Sequence, residues 1–170
     1  MNTPAATRGV HHIGFTVPDI SEAIAFFESM FGYVKVVNTG RFDVDGDFME
    51  NSLGCKRSSV LEDLVFLRCG ETANIELFQF SGDSEGGYRR PSQVGGFHIA
   101  FQVDDADEAA QRLRASGVEL LDGPAYIDEG PFEGLTWGYV RAPWGQLFEL
   151  FSYDRLGYED ETDKRLFKPT

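Results

Sequence analysis

The sequence is poor in cysteine and histidine: its 170 residues include two of the first and three of the second. Cys55 and Cys69 lack the spacing of a metal-binding motif, and in a reducing cytosol we expect them to be free thiols. No apolar run approaches the length of a membrane span, and residues 1–9 lack the apolar segment of a secretory signal. We therefore expect a cytoplasmic protein that does not bind membranes.

Positive charge is also scarce, because 15 lysines and arginines stand against 28 aspartates and glutamates, for a formal net charge of −13. A field of this sign repels nucleic acid and anionic membranes, so neither is an expected partner. Aromatic residues are plentiful, with 15 phenylalanines, and 42% of the chain is hydrophobic. The composition predicts a globular domain with an aromatic core or pocket.

The chain contains an internal repeat in which each copy begins with a histidine and ends with a glutamate. The segment HIGFTV at 12–17 returns as HIAFQV at 98–103, and IELF at 75–78 returns as FELF at 148–151. Side chains alternate between the two faces of a strand. In both copies this places the bulky apolar residues on one face and the histidine on the other, beside small or polar neighbours.

Each copy predicts the element order β-α-β-β-β. Asp19 and Asp105 fit a capping-box spacing, and Gly32 and Gly117 are typical of helix ends, which predicts helices at about 21–31 and 106–116. The predicted strands are 10–17, 33–38, 64–68 and 74–80, followed by 97–103, 119–121, 136–141 and 146–153. Residues 41–60 are polar and glycine-containing, and we expect a long loop there that acts as a lid.

The predicted fold class is α+β, with two tandem βαβββ modules that form a cup-shaped mixed sheet around a metal site. We take residues 1–153 as a single domain. Its first module spans about 10–80 and its second about 96–153, and a charged tail follows at 154–170.

The repeated residues His12, Glu76, His98 and Glu149 are the candidate metal ligands. One strand histidine is more often structural than a ligand, but two at matched positions reverse that expectation. Each glutamate lies among bulky apolar residues, where an unpaired carboxylate costs several kcal/mol. Two imidazoles and two carboxylates suit one divalent ion per site, Zn, Ni, Co, Mn or Fe. His11 is predicted to lie on the opposite face of the strand and to be structural.

A metal held by this set acts as a Lewis acid on a carbonyl, which favours proton transfer at the neighbouring carbon. Glu76 or Glu149 is then the candidate catalytic residue that carries the proton. Tyr139 and Tyr153 are further candidates, as hydrogen-bond donors to a substrate oxygen.

Four segments of the chain resemble the vicinal oxygen chelate superfamily, which includes glyoxalase I, methylmalonyl-CoA epimerase, extradiol dioxygenases and antibiotic-binding resistance proteins. They are HIGFTVPD at 12–19, IEL at 75–77, HIAFQVDD at 98–105 and GQLFEL at 145–150. The superfamily's metal positions map onto His12, Glu76, His98 and Glu149, and the resemblance implies a homodimer. The turn at 142–145 departs from the superfamily's acidic pattern and reads APWG.

The resemblance implies a divalent-metal-dependent enzyme of the glyoxalase and epimerase type. Its reaction would be an epimerisation, an isomerisation or a glyoxalase-type lyase step on a small oxygenated substrate. A glutamate at position 76 is typical of the isomerases and epimerases and not of the ring-cleaving enzymes. Two alternatives stay open: an Fe(II) extradiol-type dioxygenase, and a metal-free protein that binds a small molecule or antibiotic.

Overall fold

The computed structural model describes residues 9–83 and 87–169. The chain divides into two compact units, unit 1 (Met1–Glu85) and unit 2 (Gly86–Thr170). Each unit contains one mixed sheet with a helix packed against it. The predicted α+β fold of two βαβββ modules is therefore confirmed.

Unit 1 is built from four strands and two helices, which are β1 (His12–Thr16), α1 (Ile20–Phe31), β2 (Val34–Asn38), α2 (Gly46–Asn51), β3 (Val60–Arg68) and β4 (Asn74–Ser81). The strand order in the sheet is β1-β4-β3-β2. β1 runs parallel to β4, and the other two pairs are antiparallel. The first and last strands of the module are thus direct neighbours.

The helix α1 forms where the sequence predicts it. The Asp19 side chain accepts a hydrogen bond from the backbone N–H of Glu22, which caps the first turn. Gly32 ends the helix in the left-handed conformation, with φ of 68°. The apolar face of α1 is buried, and the Phe27 ring lies 6.2 Å from that of Phe15 on β1. These contacts form the core of unit 1 on one side of its sheet.

The long loop predicted at residues 41–60 is partly helical, because this segment contains α2. Asp45 caps the helix by accepting from the backbone N–H of Phe48, and Met49 is 1% exposed. Arg57 pairs with Asp47 and Glu50 on the exposed side. A helix this short buries too few side chains to produce a recognisable apolar periodicity.

Unit 2 repeats the arrangement with β5 (Ile99–Gln102), α3 (Ala106–Ala115), β6 (Glu119–Leu120), β7 (Ala125–Tyr126), β8 (Thr136–Arg141) and β9 (Leu147–Ser152). The order in its sheet is β5-β9-β8-β6, and β7, which the sequence does not predict, pairs with β8. β5 runs parallel to β9. Asp105 caps α3 by accepting from the backbone N–H of Glu108, as predicted.

The charged tail predicted at 154–170 folds back onto unit 2 in its described part. Leu156 is fully buried, and a short 3-10 helix, Gly157–Asp160, follows it. The backbone N–H of Gly157 donates to Glu133 at 3.0 Å, and that of Tyr158 donates to Pro131 at 2.9 Å. The tail therefore contributes to the core of unit 2.

The structure also bears on the two cysteines and on the length of the helices. Cys55 and Cys69 are free thiols, as predicted. Within the described ranges, no helix has the length and apolarity needed to span a bilayer.

Candidate functional site

The candidate ligands of unit 1 lie on the face of the sheet opposite α1. Val65 on β3 and Leu77 on β4 are fully buried on the helix side. Because side chains alternate along a strand, Phe66 and Glu76 point to the other face. Phe66 is the direct cross-strand partner of Glu76. The carboxylate thus lies next to an aromatic ring on the face that also carries His12.

His12 and Glu76 form a pair in which the imidazole Nε2 lies 3.3 Å from the carboxylate Oε2. The His12 side chain is 42% exposed and that of Glu76 is 13% exposed. Gly14, the β1 neighbour of Glu76, leaves space for this carboxylate. A Cβ atom at position 14 would lie 3.1 Å from Glu76 Oε2 and 3.1 Å from the Phe78 ring.

The prediction that His11 lies on the opposite face from His12 is wrong. Its Nδ1 lies 2.9 Å from Nδ1 of His12, and its ring is 6.5 Å from that of Phe66. Strand alternation does not apply to His11, because β1 begins at His12. Instead, the backbone and side-chain N–H groups of Asn74 donate to the His11 carbonyl, at 3.0 and 2.9 Å.

Unit 2 contains the equivalent pair, in which His98 Nε2 lies 3.0 Å from Glu149 Oε2. The His98 side chain is 38% exposed and that of Glu149 is 11% exposed. Burial raises the pKa of the Glu149 carboxyl above its usual value, and the neighbouring His98 offsets part of this effect. The carboxylate is therefore a stronger base than one in water.

An aromatic side chain borders each pair. The His12 and Phe66 rings lie 5.5 Å apart at 88°, and the His98 and Tyr139 rings lie 5.4 Å apart at 78°. Tyr139 is the cross-strand partner of Glu149, as Phe66 is of Glu76. Sequence reasoning singled out Tyr139 but missed Phe66. The repeat of the β3–β4 segment as β8–β9 is the signal that relates them.

Tyr153, the other candidate donor, lies outside this arrangement. It follows the last residue of β9, and the Lys168 ammonium lies 4.6 Å over the centre of its ring. Burial raises the pKa of its phenol, with smaller contributions from Tyr158 and Glu159. The tail thus covers the ring of Tyr153, whereas Tyr139 borders the His98–Glu149 pair directly.

The structure brings the four predicted ligands together as two pairs, one in each unit. Within either unit taken singly, the described side chains form no group of three or more His, Cys, Asp or Glu residues that could hold a metal. Each pair offers one imidazole nitrogen and one carboxylate oxygen. This mixed donor chemistry fits half of a site for a divalent transition metal. The complete four-residue set stays a prediction.

Comparison with known sequences finds a matching superfamily and a similar protein that is named as an epimerase. Residues 11–133 match the Glyoxalase/Bleomycin resistance protein/Dioxygenase superfamily. A 2-epi-5-epi-valiolone epimerase from Actinomyces sp is 36% identical over 163 residues, which cover 94% of this chain and 88% of that protein. This similarity supports the expectation of an epimerase-type enzyme in a glyoxalase-like superfamily.

Solved structures show the same fold. A glyoxalase family protein from Bacillus cereus has a TM-score of 0.66 at 21% identity, over 89% of this chain and 96% of that one. A fosfomycin resistance protein from Listeria monocytogenes, solved with Mn(II) and a dihydroxypropylphosphonic acid, has a TM-score of 0.55 at 22% identity, over 85% and 90%. Sequence match, epimerase relative and fold agree: the chain belongs to the glyoxalase/bleomycin resistance protein/dioxygenase superfamily, which is the vicinal oxygen chelate superfamily that its sequence resembles.

Proposed function

We propose that the protein is a divalent-metal-dependent epimerase that moves a proton at the carbon next to a carbonyl of a small oxygenated substrate. The observation that carries this proposal is the matched pairing of one histidine with one glutamate in each unit, at 3.3 and 3.0 Å. The 36% identical epimerase supports it independently.

We infer that His12, Glu76, His98 and Glu149 together hold one divalent ion. In each pair an imidazole nitrogen and a carboxylate oxygen already lie side by side, and the histidine side chain is about two-fifths exposed. The inference applies whether the two pairs belong to one chain or to two chains of a homodimer. When bound, the ion would supply Lewis-acid polarisation of the substrate carbonyl.

The chain's own carboxylates supply the proton transfer. Glu76 or Glu149 removes the proton from the carbon next to the carbonyl, and a proton that originates from solvent is then delivered to the opposite face of that carbon. Substrate and product contain the same atoms, so the reaction needs no oxidant or second substrate.

A direct test uses 2-epi-5-epi-valiolone, on which the Actinomyces relative acts by name. The metal-loaded protein is incubated with this compound in D2O, and the reaction is followed by proton NMR. We expect an epimer that carries deuterium at the inverted carbon. Glu76→Gln and Glu149→Gln, each checked for metal content, show which carboxylate carries the proton. The variant that retains residual metal but loses deuterium exchange identifies the glutamate that carries it.

The deuterium assay, oxygen consumption and ligand binding together distinguish the other candidate functions. Inversion without deuterium incorporation would contradict proton transfer with solvent. Oxygen consumption with a catechol and ferrous iron would indicate a ring-cleaving dioxygenase. Saturable binding without turnover in the presence of every candidate metal would indicate a binding protein.

A further inference from the structure

The two units present different side chains at equivalent positions of their sheets. Phe66 lies opposite Glu76 in unit 1, and Tyr139 lies opposite Glu149 in unit 2. Each ring makes an edge contact with the histidine of its pair, at 5.5 and 5.4 Å. The two positions therefore share their geometry and differ by one hydroxyl group.

The difference extends to the next position along the same strand. Leu64 lies opposite Phe78 in unit 1, and Trp137 lies opposite Phe151 in unit 2. Residues two apart on a strand share a face. Unit 2 thus has an indole and a phenol at these two positions, where unit 1 has the side chains of Leu64 and Phe66.

The Tyr139 ring packs against two neighbouring rings, but its hydroxyl makes no hydrogen bond to a described residue. The ring makes edge contacts with His98 at 5.4 Å and with Trp137 at 5.6 Å. These contacts restrict its orientation, yet its hydroxyl makes no hydrogen bond to any residue that the structure describes. The Tyr139 hydroxyl is not among the buried unpaired atoms, so it is open to solvent and can donate to a ligand bound beside His98.

Tyr88 adds a second unused hydroxyl to the same region of unit 2. Its oxygen is buried and has no hydrogen-bond partner among the described residues. The Tyr88 phenol is close enough to contribute to the raised pKa of Tyr139, after burial and the charge of Glu149. Unit 2 therefore contains two phenol hydroxyls, those of Tyr88 and Tyr139, without a hydrogen-bond partner among the described residues.

We propose that Tyr139 donates a hydrogen bond to a hydroxyl oxygen of the substrate, and that unit 2 recognises the hydroxylated edge of a polyhydroxylated carbonyl compound. The inference rests on the proposed function, since it takes the substrate to bind at the His–Glu pairs.

The test variant is Tyr139→Phe, which gives unit 2 the side chain that unit 1 has. It is compared with Tyr126→Phe, which removes a hydroxyl from an exposed residue of the same unit. The substrates are 2-epi-5-epi-valiolone and a series of analogues that each lack one hydroxyl. Exchange of the proton next to the carbonyl with solvent deuterium gives kcat/KM, and calorimetry gives the dissociation constant.

We expect Tyr139→Phe to lower kcat/KM for the full substrate by about 10-fold to 100-fold, the usual effect of leaving one hydrogen-bonding group unpaired. For the one analogue that lacks the partner hydroxyl, wild type and variant should be equal. Metal content and thermal unfolding should match those of Tyr126→Phe. An equal loss with every analogue, or no loss with any, would overturn the inference.

The double variant Tyr139→Phe/Phe66→Tyr tests the assignment to unit 2, because it moves the hydroxyl to the equivalent position of unit 1. We expect the double variant to remain impaired, and restored activity would overturn the assignment. Failure of the proposed function gives a different result. In that case the wild-type protein neither exchanges the proton nor inverts the substrate with any candidate metal, which contradicts both proposals.

Discussion

His11 and His12 face each other through their Nδ1 atoms, which are 2.9 Å apart. One of the two nitrogens donates a hydrogen bond and the other accepts this bond, so Nδ1 of His12 is hydrogen-bonded to His11. Its other nitrogen, Nε2, is the one that lies beside Glu76. A hydrogen bond to the second nitrogen of a ligating histidine fixes ring orientation and tautomer. We therefore expect His11 to position His12 for metal binding.

We expect His11→Phe to weaken metal binding by about 10-fold, the lower end of the effect of removing such a partner. Phenylalanine is a matched replacement, because Phe97 precedes His98 in unit 2. The dissociation constant is measured by competition with a chelator. Val10→Ala, at the exposed neighbouring residue, is the control. An unchanged constant in His11→Phe would mean that His12 is held without His11.

Replacement of His98 by alanine should remove the metal. The variant leaves Glu149 without its partner and deletes one of the four proposed donors. Elemental analysis of tag-free protein is expected to find stoichiometric divalent metal in wild type and little in His98→Ala. Arg112→Ala, which removes an exposed ion pair with Glu108 on α3, should keep its metal.

The identity of that metal also tests the choice between reactions. Nickel, cobalt, manganese or zinc would favour the epimerase, whereas iron would favour the oxygenase. Full metal occupancy in His98→Ala would contradict the proposed ligand set.

Alkaline pH should destabilise the protein through Tyr33. Burial, with a smaller contribution from the charge of Cys69, raises the pKa of this phenol to about 12, against about 10 in an unfolded chain. The folded chain therefore keeps a proton that the unfolded chain loses. Its contribution to stability is fully present below about pH 10 and is lost as pH rises through about 12, for a total of roughly 3 kcal/mol.

Urea unfolding at several pH values between about 9 and 12 measures this effect. Tyr33→Phe cannot ionise at this position, so its stability should fall less over that range. Tyr126→Phe should behave like wild type, because Tyr126 is exposed. Parallel pH profiles for wild type and Tyr33→Phe would refute the assignment.

Leu156→Ala should destabilise unit 2 by about 2 to 5 kcal/mol, because it leaves a cavity at a fully buried position. Leu166→Ala is a matched control within the same tail, since Leu166 is 56% exposed. Its effect should stay within about 0.5 kcal/mol. Chemical denaturation measures both values. A Leu156→Ala protein as stable as wild type would mean that the tail is dispensable for the fold.

Local patterns were sufficient to predict the modules and their principal elements. The alternation around His12 and His98 predicts strands, and Asp19 and Asp105 cap the helices that the sequence places after them. These features depend on contacts within a few residues, which the sequence states directly. The internal repeat then identified the two histidines and two glutamates as equivalent, before any contact between them was known.

Elements with little periodicity were missed. The six-residue α2 and the two-residue β7 bury few side chains, so their formation depends on contacts made by the rest of the fold. The side of the sheet on which His11 lies was also predicted wrongly. It depends on where β1 begins and on the bonds from Asn74, and neither has a signal in the residue pattern.

The sequence by itself determined which residue types stand at equivalent positions of two βαβββ modules, because strand and helix periods are local properties. Tertiary structure alone decided that His12 meets Glu76, that His98 meets Glu149, and that Tyr139 and not Tyr153 borders the second pair. These contacts join residues far apart in the chain. They arise from the register of β1 on β4, β5 on β9 and β8 on β9, which forms only when the sheets assemble.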